Sequence, residues 1–168
     1  NVVDVCWAAE NGGATHVDIA CDADIVRAAR EVCSLPLCVS SVNPAEFKAA
    51  IEAGASMLEL GNFDSFYEQG ISFSAEDVLK MCQETRAMYP DIPLSVTVPH
   101  TLGLPEAIEL AQNLEAAGAD IIQTEGKVGA RTKGTKDIQE SVEIAAPTLA
   151  SAYALSRAVG IPVMCASG

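Results

Sequence analysis

Apolar positions along the chain switch repeatedly between two spacings. Short stretches alternate apolar and polar residues, the pattern of a strand with one buried face. Longer stretches place apolar residues three and four apart, the pattern of a helix with one buried stripe. Helical spacing covers 24–33, 44–53, 75–88, 105–117 and 147–158, with a further helix over 1–11. The strands between them are of two kinds. Three follow a Gly-Ala pair: Gly13-Ala14-Thr15-His16-Val17-Asp18-Ile19-Ala20, Gly54-Ala55-Ser56-Met57-Leu58-Glu59-Leu60-Gly61 and Gly118-Ala119-Asp120-Ile121-Ile122-Gln123-Thr124-Glu125. Three follow an aliphatic residue and proline: Leu35-Pro36-Leu37-Cys38-Val39-Ser40, Ile92-Pro93-Leu94-Ser95-Val96-Thr97 and Ile161-Pro162-Val163-Met164-Cys165-Ala166. Glycine ends a helix in the left-handed conformation at little cost, and proline at the first residue of a strand sacrifices no interior ladder bond.

The two kinds alternate strictly, and a helix separates each pair, so the chain reads as a run of βα units. Helix starts carry matching chemistry: Asn43 caps a helix opening on Pro44, and Ser74 with Asp77 forms a capping pair. Alternation by strand parity is what a closed (β/α)₈ barrel requires, because each interior layer draws its side chains from alternate strands. An open doubly wound sheet is the rival architecture, and strand order separates the two. Six strands are visible, which we number two to seven of a TIM-type barrel. The expected fold is therefore a single α/β domain over 1–168, a partial barrel missing its first strand and its last helix–strand–helix portion. Two unpaired sheet edges would lower its stability.

Parity also assigns faces. Val17, Ile19, Leu58, Leu60, Ile122 and Thr124 turn toward the helices. The interior takes His16, Met57 and Ile121 low down, Asp18, Glu59 and Gln123 in the next layer, and Ala20, Gly61 and Glu125 near the top. From the proline strands it takes Cys38, Ser95 and Met164, then Ser40, Thr97 and Ala166. Polar side chains thus gather at the carboxyl ends of the strands, where such barrels hold their sites.

Composition narrows the function. The 168 residues are 49% hydrophobic but only 5% aromatic, so the core is aliphatic. A net charge of −13 repels a phosphate backbone, which excludes nucleic acid as a partner class. No apolar run reaches the roughly 18 to 20 residues that span a bilayer, and no secretory leader pattern is present. The six cysteines are irregularly spaced and read as reduced core thiols; Cys165 is assigned to the core by its parity. With only His16 and His100 to join them, no metal site is expected.

Four stretches carry a family resemblance: Asn62-Phe63-Asp64-Ser65-Phe66-Tyr67-Glu68-Gln69-Gly70, Ser95-Val96-Thr97-Val98-Pro99-His100-Thr101-Leu102, Ala119-Asp120-Ile121-Ile122-Gln123-Thr124-Glu125-Gly126 and Ile161-Pro162-Val163-Met164-Cys165-Ala166-Ser167-Gly168. On these the chain resembles the hypothetical chloroplast open reading frame twenty-three family of plastids, algae and cyanobacteria. The resemblance implies an aldolase-type barrel in the plastid stroma or the cyanobacterial cytoplasm. It supplies neither a cofactor nor catalytic residues.

Candidate chemistry therefore rests on the residues. Glu125, near the top of the interior, is the leading acid or base, with His100 beside the rigid Pro99 as a second catalytic candidate. Asp18 and Glu59 fall in one layer, where paired carboxylates raise one pKa by repulsion and desolvation; a hydrogen-bonded structural layer is the competing reading. Asn62, Thr97 and Gln123 complete the polar lining. Phe63, Phe66, Tyr67 and Phe73 form either a lid or a loop stapled down by its own rings. Lys127, Arg131, Lys133 and Lys136 crowd one segment, as a cover over an anionic ligand or as a solvated loop. Ser167 and Gly168 could begin a phosphate site. No strand carries a lysine, which disfavours Schiff-base chemistry. The expected function is a lyase or isomerase acting on an anionic or phosphorylated small metabolite. The alternative is a non-catalytic, metabolite-sensing or regulatory barrel that binds a protein partner.

Overall fold

Six parallel strands form one sheet whose spatial order is the order of the chain: β1 (Val17–Ala20), β2 (Leu37–Ser41), β3 (Met57–Leu60), β4 (Leu94–Val98), β5 (Ile121–Thr124) and β6 (Val163–Met164). The structure is a computed structural model and describes residues 1–67, 69–126 and 137–166. Helices α1 (Val2–Asn11), α2 (Ala23–Arg30), α3 (Phe47–Ala53), α4 (Asp64–Tyr67), α5 (Ala75–Met88), α6 (Leu104–Ala116) and α7 (Ile138–Ala158) occupy the connections and the start of the chain. A doubly wound sheet would reverse its strand order at a switch point. This one runs in sequence throughout, as a barrel wall does.

Register confirms the faces that parity assigns. Asp18 pairs with Cys38 and Ala20 with Ser40; Ser40 pairs with Glu59, Glu59 with Ser95, Thr97 with Gln123 and Gln123 with Met164. The opposite face carries Val17, Ile19, Val39, Leu58, Leu60, Val96 and Ile122, all buried beneath the helices. The polar face is concave. In a flat sheet β3 and β5 would lie about 9.6 Å apart, twice the 4.8 Å strand spacing. Gln123 Nε2 on β5 nevertheless donates to Glu59 Oε1 on β3 at 2.6 Å.

The Gly-Ala turns adopt the expected backbone, with φ of 80° at Gly13, 119° at Gly54 and 98° at Gly118. Two of them are clamped by an arginine from the α-helix one unit earlier, α2 for Gly54 and α5 for Gly118. Arg30 Nε donates to the Gly54 carbonyl at 3.1 Å, and Arg86 Nε and Nη2 donate to the Gly118 carbonyl at 2.9 and 2.6 Å. Arg86 also bonds the Asp120 carboxylate at 2.6 Å, whose same oxygen accepts from the Leu94 amide on β4. One guanidinium therefore ties a helix end to the start of two strands.

Three details differ from the sequence reading. The helix expected over 147–158 begins at Ile138, with Asp137 as its cap and Pro147 inside it rather than at its first turn. A four-residue helix, α4, interrupts the loop after β3; it is too short to leave a periodic signal. Cys165 is exposed, not in the core, because β6 ends at Met164 and the chain leaves the sheet there.

Candidate active site

Two polar clusters share the carboxyl end of the sheet. The first is built from the inward residues of four of the strands and neighbouring β1. Ser40 Oγ on β2 lies 2.7 and 2.8 Å from the two carboxylate oxygens of Asp18 and also contacts Glu59 Oε2. Thr97 Oγ1 donates to Glu59 Oε1 at 2.8 Å, beside the bond from Gln123. A hydroxyl has one hydrogen, so Ser40 can donate to only one of its two carboxyl partners at a time. The other contact is attractive only when that carboxyl carries a proton and donates to Ser40, so the arrangement favours one proton shared by Asp18 and Glu59. Asp18, on the edge strand, remains solvent-accessible, yet partial loss of hydration and the adjacent Glu59 carboxylate raise its pKa from 3.8 to about 8. Cys38, buried next to it, is pushed well above the usual thiol range by desolvation and by both carboxylates. Any side chain at Gly61 would displace groups of this cluster. A Cβ there would overlap the Glu59 carboxylate and sit 2.6 Å from Thr97 Oγ1.

The second cluster is made by the segments that leave β3, β4 and β5. Glu125, 6% exposed, directs Oε2 at three donors: the Tyr67 hydroxyl at 2.8 Å, the His100 backbone amide at 3.0 Å and His100 Nδ1 at 2.8 Å. The last contact places the hydrogen on Nδ1 and leaves Nε2 to accept or donate a proton. Tyr67 packs edge-on against the His100 ring at 5.0 Å, and burial, then the Glu125 carboxylate, raises its phenol above the usual range. Asp64, His100 and Glu125 each present a ligand atom within 4.8 Å of the others. Two carboxylates and one imidazole are a donor set that suits a divalent ion.

A cavity of about 330 Å³ at the barrel mouth joins the clusters; Asp18, Glu59, Asn62, Thr97, Gln123 and Glu125 line it. All six are residues the sequence places at the site. His100 enters the site through its bonds to Glu125, and it lines a neighbouring cavity of about 190 Å³. Asn62 adopts a left-handed φ of 64°, which asparagine tolerates better than most residues. Lys127, Ser167 and Gly168, like Arg131, Lys133 and Lys136, lie outside the described residues. The aromatic loop divides by role. Phe63, Phe66 and Phe73 pack on one another at 4.7 and 5.4 Å and staple the loop, whereas Tyr67 belongs to the site. Sequence reasoning missed Ser40 as the bridge, Asp64 as a neighbour of His100 and Tyr67 as a partner of Glu125. The Ser40 bridge was in principle readable, since its parity already turned it inward.

The model of the family described as "Protein of unknown function (DUF561)" matches residues 1–168. Among relatives, the chain is 43% identical to "Uncharacterized protein ycf23" of Cyanophora paradoxa, over 100% of this chain and 69% of that protein. It is 42% identical to the protein of that name in Pyropia yezoensis, over 96% of this chain and 59% of that protein. The chain thus spans about three fifths to two thirds of the relatives' length. Among solved structures, "QR15, an Aldolase" aligns with a TM-score of 0.59 at 19% identity, covering 96% of this chain and 82% of that one. A phosphonopyruvate hydrolase in complex with oxalate and Mg++ aligns at 0.57 and 18%, covering 95% and 71%. These two likenesses carry the barrel fold, and no helix among the described residues is long and apolar enough to cross a membrane. The family match over every residue and the level of identity to its plastid-encoded members place the chain in the ycf23 family.

Proposed function

We propose that the barrel mouth is the active site of a lyase or isomerase that moves a proton on a small oxygenated metabolite. The observation carrying this reading is the Glu125 carboxylate, nearly buried, with one oxygen fixed by Tyr67 and by two nitrogens of His100. A carboxylate held in one orientation can take a proton from carbon beside a carbonyl without first reordering solvent. His100, through Nε2, can return it at oxygen, and a proton shared by Asp18 and Glu59 offers a second donor deeper in the mouth. A regulatory barrel has no need of such an arrangement.

The charge of the mouth shapes the substrate. Asp18, Glu59, Asp64 and Glu125 line it, with no lysine or arginine among its described lining residues. An anionic or phosphorylated metabolite would therefore enter with a divalent ion, held by Asp64, Glu125 and His100 Nε2 in place of the proton transfer by His100, or with charge supplied by the basic segment that includes Lys127. The neighbour crystallised with oxalate and Mg++ makes the first arrangement chemically natural. The test is exchange of carbon-bound hydrogen in deuterated water, followed by NMR on a panel of hydroxyketones and 2-oxoacids, with full-length protein and with or without Mg²⁺. Glu125→Gln should slow exchange by about 10²- to 10⁴-fold while the fold is kept. Exchange at the wild-type rate in that variant would remove Glu125 from the chemistry.

A further inference from the structure

Asp64, His100 and Glu125 come together from three separate segments: the start of α4 after β3, the turn after β4 and the end of β5. A ligand atom of each lies within 4.8 Å of the others. Atoms about 2.0–2.2 Å from a shared ion lie at most about 4.4 Å apart, so a shift of about 0.4 Å gathers all three onto one ion. Charge points the same way. The Glu125 side chain is 6% exposed, and among the described residues neither it nor Asp64 pairs with a lysine or arginine. Carboxylates out of water are ordinarily paired with a cation or bound to a metal.

The bonding of His100 is already that of a metal ligand. Its Nδ1 holds a hydrogen against Glu125 Oε2, the carboxylate–imidazole contact that orients metal-bound histidines, and Nε2 keeps its lone pair. Glu125 Oε2 receives hydrogens from Tyr67 and from two nitrogens of His100, so Oε1 is the oxygen it would turn toward an ion. Asp64 and Glu125 both line the cavity of about 330 Å³, so coordination positions not filled by the protein open into the barrel mouth. One imidazole beside two carboxylates suits a transition ion better than Mg²⁺, which prefers an all-oxygen shell and gives up water reluctantly. We infer that Asp64, His100 Nε2 and Glu125 form a binding site for a divalent transition-metal ion, with positions open to two neighbouring oxygens of a molecule in the mouth. For its link to the substrate the site rests on the acid–base reading: the ion lets a 2-oxoacid or hydroxyketone approach four carboxylates. With Nε2 on the ion, the proton held between Asp18 and Glu59 is the donor that remains.

Mn²⁺ is the probe, since thiols such as the exposed Cys165 compete for it less than for zinc. Full-length protein stripped with chelator should bind one Mn²⁺ per chain, read from loss of the free-ion paramagnetic resonance signal, and bind Mg²⁺ more weakly. Binding should persist in about 1 M NaCl, where the Debye length is about 3 Å and diffuse attraction to an acidic protein is screened. The chain has two histidines, at opposite ends of the sheet, and small additions of Mn²⁺ should broaden the ring signals of His100 while sparing His16. Asp64→Asn should weaken Mn²⁺ at least about tenfold, the scale on which even outer partners of a metal act, with the thermal midpoint of the metal-free protein kept. Equal broadening of both histidines, binding lost in salt, or wild-type affinity in Asp64→Asn would overturn the inference. Because binding is read without turnover, Mn²⁺ held at this site with no exchange of carbon-bound hydrogen removes the acid–base reading alone. Exchange that proceeds in protein that binds no Mn²⁺ removes the metal site alone.

Discussion

The shared proton between Asp18 and Glu59 has a consequence that can be measured away from any reaction. Asp18 rises from 3.8 to about 8 in the folded chain, so the folded state binds a proton that the unfolded state has released over that interval. Stability from this group is complete below about pH 4 and is lost as pH rises toward 8. Asp18→Asn keeps the size and a hydrogen-bonding donor while removing the titration, leaving Glu59 and Cys38 as the titratable neighbours. Urea midpoints of the variant should therefore decline less between pH 5 and 8 than those of the wild type. Parallel declines would mean the pair does not share a proton. Residues of this cluster were legible in the sequence because strand parity alone turns Asp18, Glu59, Thr97 and Gln123 inward. The Glu125 cluster was legible only in part. Tyr67, His100 and Glu125 sit on segments beyond the strand ends, where no period dictates which side chains meet.

At the scale of elements, the Gly-Ala repeat is more than a helix stop. Its glycine carbonyl is the acceptor that an arginine from the neighbouring helix one unit earlier reaches, at Gly54 for Arg30 of α2 and at Gly118 for Arg86 of α5. The repeated glycine was visible as a spacing, but the arginine was not, since it lies a helix earlier in the chain. Arg86 is the stronger clamp: besides Gly118 it donates to the carbonyls of Tyr89, Pro90 and Ile92 and pairs with Asp120, with its side chain 19% exposed. Removing it leaves several carbonyls and a carboxylate short of a donor. Arg86→Ala should cost about 2–3 kcal/mol of stability, seen as a lower denaturation midpoint, and Arg30→Ala less. Equal effects would mean that the bond to the glycine carbonyl dominates both. The late start assigned to α7 has a similar physical cause. Proline favours a helix's first turn, so Pro147 reads as a beginning, whereas packing of Thr148 and Leu155 holds it within a longer helix.

For the whole molecule, chain-ordered pairing leaves β1 and β6 each hydrogen-bonded on one side only among the described residues. Next to β6, α7 turns a stripe of Ile138, Val142, Leu149 and Tyr153 to solvent, at exposures of 60% or more. These positions recur at helical spacing on one side of α7, the pattern of a helix that packs on a neighbour. Relatives are longer than this chain, which covers 69% and 59% of the two compared. In a protein of that length the added chain would pair the free edges and cover the stripe, as barrel closure does. The denaturant slope grows with the surface exposed on unfolding. Full-length protein should therefore unfold in urea with both a higher midpoint and a steeper slope than residues 1–168 alone, and the shorter chain should associate as its concentration rises in sedimentation velocity. A shorter chain that stays monomeric at high concentration, with the same midpoint, would show that the open edges and the apolar stripe of α7 are stable as they stand, and that closure of the barrel contributes nothing to holding the Glu125 site in place.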